Sequence, residues 1–301
     1  MKYIITSDWH ITDQPPKRRT DDYVKEQIRK INYIVSYSCR ENMDILNCGD
    51  IFHTKKISYE TLRTMIQILS KTTMIGVFGQ HDMRYHSNDK MDNTPLAVLE
   101  SAKVFISSRT DFCQEEKKTK EKIYFCNFGE TIPKVEDTNL FNILIYHGLI
   151  CFREEVPNSM DAVEFLNANS FYDLIVTGDN HKTFTVQNGS RMLINPGSLM
   201  RMDITQVDHK PCFFVYDTQT LNAKRVEIPV KDNVFDLSLL EKEKEINRKL
   251  EAFVNGLSED KIMENLKFEN NLENFMVANN IENCVKELVN KLIAELNKEA
   301  I

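Results

Sequence analysis

The sequence predicts an α/β fold: a two-sheet β-sandwich flanked by helices, with a small helical region at its C-terminal end. Three observations predict it. Short β-rich apolar runs alternate with helical patterns through the first two hundred residues, hairpin-like runs follow, and beyond about residue 233 the pattern turns acidic and helical with no strand-like run.

Tyr3-Ile4-Ile5 reads as the first strand, and Asp22 to about Arg40 as a helix through Val24, Ile28, Ile31 and Val35. Met43 to Asn47 is the next strand, then a helix from Tyr59 to Ser70 with Leu62, Met65, Ile66 and Leu69 on one face, then a strand from Met74 to Phe78. Pro95 opens a further helix through Leu96, Val98 and Leu99, since its missing N–H costs nothing in a first turn. Phe112 to Phe128 reads as two strands around a lysine- and glutamate-rich hairpin tip, a solvated charge run. Phe141–Tyr146, Tyr172–Thr177 and Met192–Ile194 are buried-type strands; Cys212–Tyr216 and Ala223–Ile228 form a hairpin. In the tail, Leu239, Ile246, Leu250 and Phe253 fit one amphipathic helix, and Val285, Leu288, Leu292 and Leu296 another. The expected domains are 1–232 and 233–301.

The 301 residues, 42% hydrophobic, suffice for one large cored domain and a small one. Seven scattered cysteines without a CxxC pair argue against a disulfide framework or zinc ribbon and for a reducing compartment, so a soluble, cytoplasmic protein is expected. The opening residues lead straight into a strand pattern rather than a signal peptide, and no window has the roughly 18 apolar residues of a membrane span. The net charge of −7 does not exclude nucleic acid, because binding follows local potential. Residues 233–301 carry 14 acidic and 9 basic side chains, so most of the excess sits in the tail.

Five segments follow expected strands: Asp8-Trp9-His10, Gly49-Asp50-Ile51-Phe52-His53, Gly79-Gln80-His81-Asp82, His147-Gly148 and Gly178-Asp179-Asn180-His181. Ligands of α/β proteins gather beyond the carboxyl ends of strands, so five such turns can converge on one site. They hold five of the seven histidines, and aspartate oxygen with imidazole nitrogen suits a divalent metal, manganese in particular. Asp-x-His or Gly-Asp alone is common by chance, and a lone strand-end histidine such as His147 is more often a hydrogen-bonded core residue. Five segments in one order are not accounted for in that way.

Order and spacing resemble the calcineurin-like metallophosphoesterases, over about residues 1–217. Gly-Asp-Ile-Phe-His, and Asn195-Pro196-Gly197-Ser198 after Ile194, narrow the resemblance to SbcD-like DNA double-strand-break repair nucleases. The resemblance implies two divalent metal ions, manganese first and magnesium as the alternative. One would be held by Asp8, His10 and His181 with Asp50 bridging, the other by Asp50, Gln80, His147 and Asp179. It further implies His81 as general acid or transition-state stabiliser, Asp82 as the residue orienting its ring, and His53 facing the DNA backbone. Two metals about 4 Å apart ionise a water and clamp the phosphate oxygens, and a histidine titrating near pH 6.5 can return a proton near neutrality.

Two positions depart from the family pattern. Gln80 stands where asparagine is usual and adds a methylene; Asp179 stands where histidine is usual and adds a carboxylate. Both fall on the second metal, which is therefore expected to bind more weakly than the first. Lys17, Arg18, Arg19, Lys55, Lys56 and Arg84 are candidate DNA contacts, with a solvated charge run as the plain alternative for the first three. Trp9, Met200, Met202, His209 and Cys212 are assigned to packing or solvent.

The resemblance also implies an SbcC-type coiled-coil ATPase partner, for which the helical tail is a docking element or else a cap on the core, and a homodimer through the helices near 59–70 and 95–102. The expected function is a manganese-dependent exo- or endonuclease subunit acting on DNA ends in repair or recombination. A phosphoesterase for nucleotides or phosphoproteins, and a weakly catalytic DNA-binding subunit, are the alternatives.

Overall fold

A computed structural model describes residues 1–87, 91–110, 120–153, 156–157, 159–236, 248–250 and 265–299. The chain divides into two compact units, Met1–Asp236 and Leu237–Ile301. The first unit carries two five-stranded sheets. One has β1 (Lys2–Thr6), β2 (Asp44–Asn47) and β3 (Met74–Gly76) parallel, and is completed by the antiparallel hairpin β11 (Cys212–Asp217) and β12 (Asn222–Glu227), in the order β12-β11-β1-β2-β3. The other runs β4-β5-β8-β10-β9, from β4 (Glu121–Cys126), β5 (Phe141–His147), β8 (Leu174–Gly178), β9 (Phe184–Asn188) and β10 (Arg191–Asn195), all parallel except β9. The short pair β6 (Ile150–Cys151) and β7 (Met160–Asp161) lies apart from both.

The core has three layers, and strand pleating assigns residues to them. Side chains alternate between the faces of a strand, so Ile4 joins the layer beneath α1 (Tyr23–Glu41), α2 (Tyr59–Leu69) and α3 (Pro95–Ser101), whereas Ile5 joins the layer between the sheets. Leu46, Val77, Ile143, Ile145, Val176 and Ile194 fill that middle layer. Leu144, Ile175 and Leu193 face Phe165 and Leu166 of α4 (Ala162–Ala168) in the third. The central strands are buried on both faces, which is why they read as unbroken apolar runs. The two-sheet sandwich with outer helices is the expected architecture.

One expected element lies partly outside the described residues. Only β4 of the hairpin at 112–128 lies in the described residues, and it pairs in parallel with β5; residues 111–119 lie outside them. In the second unit, helices span Asn265–Ala278 and Asn283–Glu299, and Val285, Leu288 and Leu292 are exposed on the latter. Leu239, Ile246 and Phe253 lie outside the described residues. At the end of the first unit, Val234 and Phe235 return to the loop before α1: Thr20 N–H donates to Val234 O (3.0 Å), and Asp236 N–H to Arg18 O (2.9 Å).

Candidate metal centre

The parallel strands β1, β2 and β3 of one sheet and β5 and β8 of the other end at the same place, and their next residues are the five singled-out segments. The loops after β1 and β2 stay paired past the strands. Asp8 N–H donates to Gly49 O (3.1 Å), His10 N–H to Asp50 O (3.0 Å), and His53 N–H to Ile11 O (3.0 Å). Asp8, His10, Asp50 and Asp179 all have left-handed backbones, with φ of 50°, 46°, 52° and 78°. Such conformations cost roughly 1–3 kcal/mol each in non-glycine residues and concentrate where side-chain direction matters. Gly79 turns with its hydrogen against Asp50; a Cβ there would collide with the carboxylate and the Asp50 nitrogen.

Among the described residues three donor groups result, each with its atoms within 4.8 Å: Asp8, His10 and His181; Asp8, Asp50 and His147; and His10, His53 and His81. His10 Nε2 lies 3.0 Å from His181 Nε2, 3.8 Å from Asp8 Oδ1 and 3.9 Å from Asp50 Oδ2. His147 Nε2 lies 3.5 Å from Asp50 Oδ2. Asp50 therefore stands between His10 on one side and His147 on the other. Its second oxygen accepts the His81 backbone N–H at 2.8 Å.

His147 is wholly buried. Its Nδ1–H donates to the Cys48 carbonyl (2.5 Å), which leaves Nε2 as a buried nitrogen without a hydrogen-bond partner, aimed at Asp50. A ring with one N–H on a backbone carbonyl and a bare nitrogen pointing into a carboxylate cluster is the arrangement of a metal-ligating histidine. The residues present thus fit a divalent cation with nitrogen and oxygen ligands.

Electrostatics agree with that fit. Burial works against ionisation of Asp50, but His147, His10 and His81 outweigh it and hold the carboxyl well below the usual range. Burial alone would depress His147; the Asp50, Asp8 and Asp179 charges reverse this and push it up to about 10. Asp8 is raised to about 6, chiefly by burial, and His10 is lowered well below the usual imidazole value by burial. Three converging carboxylates thus call for positive charge, which protons on His147 supply when no cation does.

Several sequence expectations take a different form. Asp82 does not orient the His81 ring: His81 Nδ1–H donates to the His53 carbonyl at 2.9 Å. The Asp82 carboxylate is buried beneath the site and accepts backbone N–H groups from Phe52 (2.9 Å), Gly79 (3.1 Å) and Ile51 (3.2 Å). A short acceptor-only side chain under two tight turns satisfies their donors before it can reach a ring. His53 stacks on His81, with centroids 5.1 Å apart, and its Nδ1 is 3.4 Å from His10 Nδ1. Gln80 and Asp179 meet each other: Gln80 Nε2 donates to Asp179 Oδ1 at 2.6 Å.

Arg19 is also corrected as a DNA contact. Its side chain is 1% exposed, paired in a fork with Asp21 (2.8 Å), bonded to Arg201 O (2.9 Å) and placed over the Tyr23 and Phe235 rings. Lys17, Lys56 and Arg84 are exposed, Arg18 is half-buried, and Lys55 Nζ lies 5.1 Å over the Tyr85 ring. None of these six lines the groove of about 1190 Å³ that opens from His10, His53, His81 and His181; its basic residues are Lys182, His209, Lys210 and Arg225. Trp9 is packed as expected, with Nε1–H on Thr6 Oγ1 at 2.8 Å.

Two contributors went unread in the sequence. Gln206 Nε2 lies 3.2 Å from His181 Nδ1, its orientation set by Oε1 accepting the Met202 (2.7 Å) and Asp203 (3.2 Å) N–H groups. The Asp203-x-x-Gln206 capping-box spacing was the available signal. The Cys48 carbonyl that orients His147 carries no side-chain signal at all.

A two-sheet sandwich with histidines and aspartates converging at its strand ends defines a class, and residues 1–221 match the calcineurin-like phosphoesterase superfamily domain. The chain belongs to that superfamily. Among individual proteins, it is similar to the double-strand break repair protein MRE11 of Encephalitozoon cuniculi (strain GB-M1), 23% identical over 312 residues, covering 85% of this chain and 53% of that protein. The chain thus spans about half the length of that curated relative. Similar solved structures include TT1561 of Thermus thermophilus (10% identity, 76% of this chain and 99% of that one, TM-score 0.47) and a putative 5'-nucleotidase from Staphylococcus aureus (14% identity, 83% and 58%, TM-score 0.45). No helix among the described residues is long and apolar enough to cross a membrane.

Proposed function

We propose that this chain is a manganese-dependent deoxyribonuclease subunit that hydrolyses phosphodiester bonds at DNA ends. The observation that carries the proposal is the convergence of five strand-end segments on one donor cluster at the mouth of a groove of about 1190 Å³. The similarity to a double-strand break repair protein favours DNA over a free nucleotide or a phosphoprotein.

In this proposal Asp8, His10 and His181 would hold one metal and Asp50, His147 and Asp179 the other, with Asp50 placed between His10 and His147. Two such ions would supply Lewis acidity and neutralise the phosphate charge. His147 keeps Nδ1–H on Cys48 O and offers Nε2 as the donor atom. His81, with Nδ1–H fixed on His53 O, leaves Nε2 to pass a proton to the departing oxygen as the P–O bond breaks. His53 stacks against that ring and limits its rotation. Asp82 holds both turns from below and so sets where Asp50 and His81 stand.

We further propose an SbcC-type coiled-coil ATPase partner, a homodimer through the faces of α2 and α3, and a division of labour near residue 232 in which the tail serves docking. The exposed Val285, Leu288 and Leu292 stripe supports that last element.

The test is manganese-dependent digestion of end-labelled linear duplex DNA beside a small phosphodiester and a nucleoside monophosphate. Cleavage of DNA well above the small substrates is expected. Efficient hydrolysis of the monophosphate with DNA left intact would replace the nuclease reading with a nucleotide phosphatase.

A further inference from the structure

Gln80 follows β3 of one sheet and Asp179 follows β8 of the other, 99 residues apart in sequence, yet their side chains meet at 2.6 Å. The contact settles the orientation of the amide. A carboxylate oxygen accepts only, so the Gln80 NH2 must face Asp179 and its carbonyl must point elsewhere. At 2.6 Å to an ionised acceptor this is a charge-assisted bond, roughly twice as strong as a neutral one. Asp179 is also held from its backbone. Its φ of 78° turns its N–H onto the Asp8 carboxylate, 3.2 Å from both oxygens. The Asp179 carboxylate is therefore fixed at both ends, with Oδ1 occupied by Gln80.

We propose that Gln80 is a positioning residue: its amide clasps Asp179 across the two sheets and aims that carboxylate at the second metal, without itself being a ligand. The inference rests on the two-metal reading above and deepens it, since it leaves Asp50, His147 and Asp179 as the side chains of the second site. A shorter amide at position 80 loses the reach to Asp179, so Gln80→Asn weakens the second metal.

A ligand and a clasp differ in a double-mutant cycle. A ligand contributes whether or not Asp179 is present; a clasp acts only through it. Manganese binding to the full chain is measured by calorimetry, with bound ions counted by electron paramagnetic resonance, so no readout depends on DNA or turnover. Gln80→Met keeps length and removes the donor. It is expected to weaken the second manganese about 10–100-fold, the usual effect of losing a group that orients a ligand, and to leave the first unchanged. Gln80→Asn should behave likewise. Asp179→Ala weakens the second ion at least as much, and Gln80→Met/Asp179→Ala should match Asp179→Ala within about twofold. If the double variant instead loses the full Gln80→Met factor on top of Asp179→Ala, Gln80 is a ligand and the clasp is wrong. An unchanged second site in Gln80→Met also overturns it. Wild-type protein that binds fewer than two manganese ions refutes the two-metal reading and the clasp together, whereas two ions with additive effects refute the clasp alone.

Discussion

Asp82→Asn tests how the site is held from below. The Asp82 carboxylate accepts three backbone N–H groups, from Ile51, Phe52 and Gly79, in a fully buried position. Burial and the Asp50 charge push its pKa up to about 7, while those three donors pull it down. Asparagine is nearly isosteric but carries one oxygen, and its NH2 must face at least one of the same donors. Above its pKa of about 7, where Asp82 is ionised, a hydrogen bond to it contributes about 1.5–3 kcal/mol and a buried orphan donor costs about 1–3 kcal/mol, so a loss of about 2–5 kcal/mol is expected there, and a smaller one at lower pH where the carboxyl is protonated. That is a large share of the roughly 5–15 kcal/mol that stabilises a domain. Urea denaturation of metal-free protein reads the loss, and amide hydrogen exchange locates it: the Ile51, Phe52 and Gly79 amides should exchange faster while β5 and β8 stay protected. A change below about 0.5 kcal/mol, the range of a neutral surface substitution, would refute the role given to Asp82.

Gly79→Ala drives a Cβ into the Asp50 carboxylate, so manganese binding should fall at least about tenfold below wild type; calorimetry checks this. Manganese binding should release protons and tighten as pH rises towards 10, because His147, pushed up to about 10, must give up its Nε2 proton; binding enthalpies that vary with the ionisation enthalpy of the buffer would show the release. Lys30, buried on α1 with Nζ on Leu199 O at 3.0 Å, is lowered to about 7 by burial, against Glu26 and with help from Arg201, Arg19 and Arg29. Its folded pKa lies below the unfolded one, so the unfolded chain binds more protons between about pH 7 and 10.5. Lys30 therefore makes stability rise with pH across that window and be lost as pH falls to about 7. The linkage totals about 4–5 kcal/mol, and Lys30→Met should flatten it in denaturation curves measured at several pH values.

The parts of the fold legible in the sequence were those where one pattern had one cause. Double-sided burial makes β1, β2, β5, β8 and β10 apolar runs, and a strong amphipathic stripe marks α1 and α2. α4 is as short as α3 but lacks its opening proline, and was missed although Asp161 caps it by accepting the Val163 (2.8 Å) and Glu164 (3.0 Å) N–H groups. β9 was missed because only Val186 in it is buried, even though Asn188-Gly189 signals its turn into β10. β4 was read as a strand, but its parallel register with β5 leaves no local signal in the sequence. In the site, the residue types and their strand-end positions were readable. The partners were not: sequence order says nothing of Gln80 reaching Asp179, or of the Cys48 carbonyl reaching His147, since both are contacts between sheets.

The central claim is that the Asp50-centred cluster is a metal-dependent phosphodiester hydrolysis centre. Its most direct test is the rate of end-labelled duplex DNA hydrolysis by chelator-stripped protein as manganese is restored, in wild type and in Asp50→Ala. No cleavage in chelator, a rate that keeps rising past the first manganese equivalent, and no cleavage by Asp50→Ala at any manganese concentration are expected, because one Asp50 oxygen lies within 4 Å of both His10 Nε2 and His147 Nε2. Cleavage that persists in chelator, or an Asp50→Ala protein that keeps the wild-type rate, would contradict the account.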